Sequence, residues 1–325
     1  MNIKKIFGLV VHYSGLYWIL KQLRPNDLLV LVYHRVTWKN MDQLDPFVKS
    51  TNPKEFEKQI TFLKTNFNII NFDQPEKPSK KKRNAIITFD DGYIDNYLYA
   101  YPILKKHNCP ATILLTTGYI NTSKIPWWDR VALAINNSKK PFVEIPGFSK
   151  VDLKNKRKAI MKIQNFIRRK RKREEFVNWL EKTLDSKAYN TRVFLNWSEI
   201  KEMSKNNISF GAHTITHPIL TIINKDAAKG EILGSIRKIE NNLKKKVIVF
   251  AYPNGHIRDM NHELDSYLKY SGIKYSLTAD YGSNKTDSFR IRRVGIEYDD
   301  DMNMFRFKTL GMGRLIANLY MRFRG

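Results

Sequence analysis

Ala85-Ile86-Ile87-Thr88-Phe89-Asp90-Asp91-Gly92 is the stretch that decides how this chain is read. Ala85 to Thr88 form a short apolar strand, and it runs into two adjacent carboxylates and a glycine where the backbone must turn. Neighbouring side chains on an extended segment point to opposite faces, so Asp90 and Asp91 are not equivalent unless the strand already bends at Gly92. A division of labour follows, in which one carboxylate takes a proton and the other holds a metal, provided neutral nitrogen ligands come from elsewhere. His213 and His217 are the candidates. The alternative is an ordinary Asp-Asp-Gly turn with solvated acids.

The rest of the composition narrows the partners. The chain has 325 residues, 42% of them hydrophobic, enough for a sizeable core and too many for wholesale disorder. Its 57 Lys and Arg against 31 Asp and Glu leave a formal charge of +26. So basic a surface favours an anionic partner: a phospholipid face, a phosphorylated lipid carrier or a nucleic acid. Cys109 is the only cysteine, which excludes an internal disulfide and a thiolate metal cluster.

Taken in order, residues 1–24 pair an apolar run, Ile6 to Leu20, with flanking lysines and Arg24. The run is short for a bilayer span, which needs about 20 apolar residues, and no small-residue cleavage site follows. An amphipathic helix in the membrane interface is expected, with packing on the domain itself as the alternative. Leu28 to Tyr33 is a continuous apolar strand ending at His34-Arg35, and Asn52-Pro53 opens a helix carrying Phe56, Ile60 and Leu63. A loop over 74–84 leads to the Asp-Asp strand, a helix is expected near 95–107, and Ala111 to Thr117 is the next strand. Trp127-Trp128 then open an insertion, about 126–195, whose basic helical region is expected over 150–187. Within it Arg168 to Arg173 are all cationic. Flanking apolar positions make a solvated helical face the better reading than a nucleic-acid patch.

Strands resume at Ile208 to Ala212 and end on His213-Thr214-Ile215-Thr216-His217-Pro218. Pro218 disfavours helix at His217, so both histidines are expected on a strand end and turn. A helix carrying Ala228, Ile232, Ile236 and Ile239 follows, then strand Val247 to Ala251 and the turn Tyr252-Pro253-Asn254-Gly255, whose backbone N–H groups suit a ligand. Lys274 to Thr278 and Arg290 to Ile296 complete the strands, and 301–325 is expected as a basic amphipathic helix. About seven apolar strands alternating with helices argue for an α/β fold, a parallel barrel with its chemistry at the strand C-terminal ends.

At these segments the chain resembles the polysaccharide deacetylases, the NodB-like carbohydrate esterases. The resemblance is carried by Tyr33-His34-Arg35-Val36, Thr88 to Gly92, Pro110 to Leu115, His213 to Pro218 and Phe250 to Gly255. It implies a distorted (β/α) barrel over 25–300, flanked by the two terminal helices. It also implies Asp90 as base, with Asp91, His213 and His217 as ligands of a divalent metal, Zn²⁺ first among those that suit the set. Water activated there gives its proton to Asp90 and attacks the N-acyl carbon of an amino sugar, with the Asn254 backbone N–H facing the oxyanion. Two departures stand out. Ala251 occupies the position where the family often has an arginine pairing the base, leaving Arg35 or Arg293 as substitutes; and no late Leu-x-His exists, leaving His34 as candidate acid. Tyr252, Pro253, Trp127, Trp128 and Arg293 are the candidate substrate contacts. The expected partner is an amino-sugar glycan, lipid-linked in the version that best explains the charge, on an anionic membrane surface; no obligate protein partner is evident. Membrane association at the cytoplasmic face is expected, with a periplasmic or anchored form as the alternative. A deformylase on a lipid-linked amino sugar, or a non-catalytic binding module, is the competing function.

Overall fold

The computed structural model describes residues 27–38, 44–48, 50–73, 82–170, 172–186, 189, 191–284 and 288–311. The expected interfacial helix over 1–24 lies outside these residues, as does the end of the expected C-terminal helix beyond Gly311. Among the described residues no helix is long and apolar enough to cross a membrane.

The core is one parallel sheet built from β1 (Leu29–Tyr33), β2 (Asn84–Phe89), β3 (Ala111–Leu115), β4 (Ile208–Ala212), β5 (Val249–Ala251), β6 (Tyr275–Leu277), β7 (Arg290–Ile291) and β8 (Val294–Gly295). Their spatial order is β7-β6-β5-β4-β3-β2-β1-β8, with Asn68–Ile69 pairing beside the start of β2. Alternation along the strands separates two apolar layers. Val30, Ile86, Leu114, Val249 and Leu277 meet inside the curl, whereas Leu29, Leu31, Ile87 and Phe89 pack outward beneath the helices. That is the pattern of a sheet curled into a half-barrel, as expected of the distorted (β/α) barrel.

One strand differs from expectation. Arg290 to Ile296 does not form a single strand: β7 pairs with β6 at one edge of the sheet and β8 with β1 at the other. Only Arg292 and Arg293 separate them, so this segment crosses the seam where the curl would close. The Arg293 N–H donates to Asp280 O at 2.9 Å, outside either ladder.

The outer layer includes α1 (Pro53–Asn66), α2 (Tyr101–Lys106), α3 (Trp127–Asn137), α4 (Lys156–Ile167), α5 (Arg173–Thr183), α6 (Trp197–Ser204), α7 (Lys225–Leu243), α8 (His262–Tyr270) and α9 (Met302–Thr309). The helix expected near 95–107 begins as a wide π turn over Asn96–Ala100, because Pro102 has no N–H to continue the ladder backwards. The basic helical region expected over 150–187 is also broken. Lys150–Asp152 pairs antiparallel with Phe142–Glu144, and the described cations Arg168, Arg169, Lys170 and Lys172 fall between α4 and α5 rather than on one helical face. Contiguous like charges diverge more readily at a turn than when stacked along a helix. The insertion buries its own apolar stripe (Val131, Ile135, Ile163, Ile167, Val177, Leu180) and rejoins the barrel where the Leu195 N–H donates to Gly92 O at 3.0 Å.

Candidate active site

Asp90 follows β2 in phase with the inward-facing Ile86 and Thr88, and is 3% exposed. Arg293 reaches it from the seam and closes a two-pronged ion pair, Nη1 to Oδ1 at 2.6 Å and Nη2 to Oδ2 at 2.8 Å. The Arg293 Nε–H donates to Thr278 O, which fixes the fork in its plane. Burial alone would raise the Asp90 carboxyl, but the charges of Arg293 and His213 and the Arg293 hydrogen bonds hold it well below the usual carboxylate range. Arg35 is engaged elsewhere, its Nε 2.7 Å from Asp95. Of the two arginines considered, Arg293 pairs with Asp90, because the seam segment carries it inward.

Asp91 has φ +74° and Gly92 φ +85°, so the chain turns sharply and aims the second carboxylate away from the first. Its Oδ1 is buried without a hydrogen-bond partner, 3.6 Å from His213 Nε2 and 3.7 Å from His217 Nε2. One ligand atom from each of the three residues lies within 4.8 Å of the others. His213 directs Nδ1 to Ala251 O at 2.7 Å, which assigns the proton to Nδ1 and leaves the Nε2 lone pair facing Asp91. Burial pushes both imidazoles below their usual range, with His213 and Arg173 adding to the effect at His217, so both rings are neutral at pH 7. Burial and the Asp90 charge push Asp91 well up. Two neutral nitrogens, one orphaned carboxylate oxygen and no hydrogen bond among them fit a divalent cation, whose charge would relieve all three.

The histidine turn is held by features that the sequence reading missed. Glu231 on α7 accepts from the Ile215 and Thr216 N–H groups at 2.7 and 2.8 Å and from the Thr216 hydroxyl at 2.6 Å. Thr214 and His217 both adopt positive φ, and Ile215 is wedged where a Cβ on Gly118 would stand 2.5 Å from its carbonyl oxygen. Behind His217, Trp128 packs at 4.8 Å between ring centroids. Its Nε1–H donates to Tyr93 Oη at 2.7 Å, and Tyr93 donates to Asp129 Oδ2 at 3.0 Å. Burial pushes Asp129 up to about 6, and Asp45, whose backbone N–H donates to Asp129, up to about 7. The only sequence signal for this network was an acid directly after two tryptophans at the start of an apolar helix.

The remaining candidates divide. Asn254, at φ +58°, has a backbone N–H with no acceptor among the described residues, consistent with a donor for an oxyanion. His34 sits half-buried after β1, near enough for its charge to act on Asp90. Tyr252 and Pro253 are buried, and the Tyr252 hydroxyl donates to Asp265 at 2.8 Å, which anchors the turn to α8. Trp127 and Trp128 are likewise 5% and 6% exposed and form the backing of the site, not an open stacking wall.

A hydrolase for carbon–nitrogen amide bonds is the class this fold and site define. The chain belongs to the polysaccharide deacetylase family, whose model matches residues 77–276. That match includes Asp90, Asp91, His213, His217 and Asn254 but neither His34 nor Arg293. A poly-beta-1,6-N-acetyl-D-glucosamine N-deacetylase of Staphylococcus aureus is 26% identical over 294 residues, covering 85% of this chain and 81% of its own. Among solved structures, the Streptococcus pyogenes deacetylase PplD in complex with acetate superposes with a TM-score of 0.57 at 20% identity, over 87% of this chain and 98% of its own. A polysaccharide deacetylase from Bacillus cereus gives 0.58 at 20% identity, over 87% and 69%.

Proposed function

We propose that this chain hydrolyses the N-acetyl group of an amino sugar in a glycan or lipid-linked glycan precursor, with a divalent metal held by Asp91, His213 and His217. The observation that carries the reading is the side-by-side arrangement of a carboxylate kept ionised by a buried arginine and three ligand atoms without hydrogen bonds among them, at the ends of β2 and β4. When bound, the cation would acidify a water and polarise the acyl carbonyl, and Zn²⁺ is the first choice for two imidazoles and one carboxylate. Asp90 accepts the water's proton, and its low pKa keeps it competent as base across the neutral range. The Asn254 N–H donates to the amide oxygen as negative charge develops there, so the turn's backbone matters more than the asparagine side chain. His34 returns a proton to the departing amine.

The net charge of +26 supports placement at an anionic membrane surface, and the cytoplasmic face is the reading we favour. The test is acetate release from N-acetylglucosamine oligomers by the purified full chain, with and without added Zn²⁺. Asp90→Asn should abolish release while leaving the metal bound; substantial remaining turnover would remove Asp90 from the role of base.

A further inference from the structure

The insertion does more than back the histidines. A groove of about 1170 Å³ opens between α5, the segment after β3 and the first half of α7, and its near end is formed by Thr216 and Pro218, which flank His217. The floor is apolar, with Ile219 buried and Ile125, Ile222 and Ile223 half-buried along it. On the α7 side Gly230 lines the groove, and a Cβ added there meets nothing within 4 Å, so a larger side chain has room to enter it.

Arg173 stands at this same end. Its guanidinium lies 4.7 Å over the Trp127 ring, Trp127 meets Trp128 edge to face at 5.8 Å, and Trp128 rests on His217. A continuous aromatic stack therefore fixes this cation beside a metal ligand. Its Nε is buried with no hydrogen-bond partner, and no carboxylate among the described residues forms an ion pair with it. The nearby acids are committed: Glu174 to Arg130 at 2.8 Å, and Glu231 to the histidine turn. Arg173 is half-buried, so its Nε is cut off from water while the planar fork stays open to a ligand, and that fork matches a phosphate. Lys170 and Lys172, both exposed, also line the groove; Lys172 lies 3.4 Å from Glu175, which leaves Lys170 as added charge at the rim.

We propose that this groove holds the phosphate-linked lipid of the substrate. Arg173 receives the phosphate ester, the isoleucine floor takes the first units of the apolar chain, and the amino sugar on the other side of the phosphate is presented to Asp90 and the metal ligands. Charge complementarity at the neck and an apolar floor beyond it together select an anionic amphiphile over a free polymer. The assignment rests on the deacetylase reading but is tested without turnover.

The probe is farnesyl phosphate, titrated into the metal-loaded full chain and followed by the fluorescence of the tryptophans beneath Arg173. Saturable binding is expected, weakened about tenfold or more by Arg173→Gln and by Gly230→Leu, and partly retained in Arg173→Lys. Leucine is a better helix former than glycine, so Gly230→Leu fills the groove without endangering α7. Farnesol and inorganic phosphate should each bind about tenfold more weakly than the combined probe. Unchanged affinity in both variants would overturn the proposal, and so would inorganic phosphate binding as tightly as farnesyl phosphate, which marks a simple anion site. Asp90→Asn should bind the probe normally. A chain that binds it yet releases no acetate from any substrate would keep the groove and lose the deacetylase.

Discussion

Replacing Arg293 by methionine leaves Asp90 charged, buried and unaccompanied. The pair is closed on both sides, with side-chain exposures of 2% for Arg293 and 5% for Asp90. Breaking such a pair from one side costs about 3–5 kcal/mol, because the surviving charge keeps its desolvation penalty. In a chain of this size that is a fall in Tm on the order of 10 °C. The same loss removes the main influence holding the Asp90 carboxyl low, so burial then pushes it up, and every unit of rise is worth about 1.4 kcal/mol. The acid limb of the kcat/KM profile for acetate release should therefore move to higher pH in Arg293→Met. Thermal melts of the single variants and of Asp90→Asn/Arg293→Met complete the test: the double variant should recover most of the lost stability, since the orphaned charge is gone. An acid limb that stays in place, together with a double variant no more stable than Arg293→Met, would refute the reasoning.

Three further outcomes follow from the same geometry. Asp45, pushed up to about 7 by burial and by Asp129, stabilises the fold most when protonated; that contribution is complete below about pH 4 and is lost as pH rises through 7. Urea unfolding of the metal-free protein should show the wild type losing up to about 1.4 kcal/mol per pH unit relative to Asp45→Asn across that window, and parallel curves would contradict it. Trp128→Phe deletes the donor to Tyr93 and loosens the support of His217, so Zn²⁺ affinity measured by calorimetry should fall roughly tenfold; full affinity in a folded variant would free Trp128 of that role. Asn254→Gly keeps both the backbone donor and the positive φ, so kcat should stay within about threefold of wild type, and a collapse in kcat would mean that the side chain itself acts.

Much of the site was legible because strand ends are short, contiguous and chemically marked. The two aspartates after an apolar strand and the two histidines before a proline meet in space because parallel strands β2 and β4 deliver their ends to the same edge of the sheet, each paired to β3 between them. The partner of Asp90 was only half legible. Arg293 lies in a segment that reads as one strand, and nothing local says that its two halves join opposite edges of a curled sheet. The inward anchoring of Tyr252 was not legible either, because Asp265, which captures its hydroxyl, lies on the helix that follows. The support from Tyr93 and Glu231 was invisible, and that from Asp129 was marked only by its place after two tryptophans, since each acts through a contact distant in sequence. The cationic run misled in another way: its flanks are helical, but Arg168, Arg169, Lys170 and Lys172 fall where the helix breaks.

The most direct test is elemental analysis of the purified full chain beside His213→Ala, joined to acetate release before and after chelation. About one divalent metal per wild-type chain is expected, little in the variant, and activity that disappears with the metal and returns when it is restored. A wild type that binds no metal after reconstitution, or that releases acetate equally well without one, would contradict it.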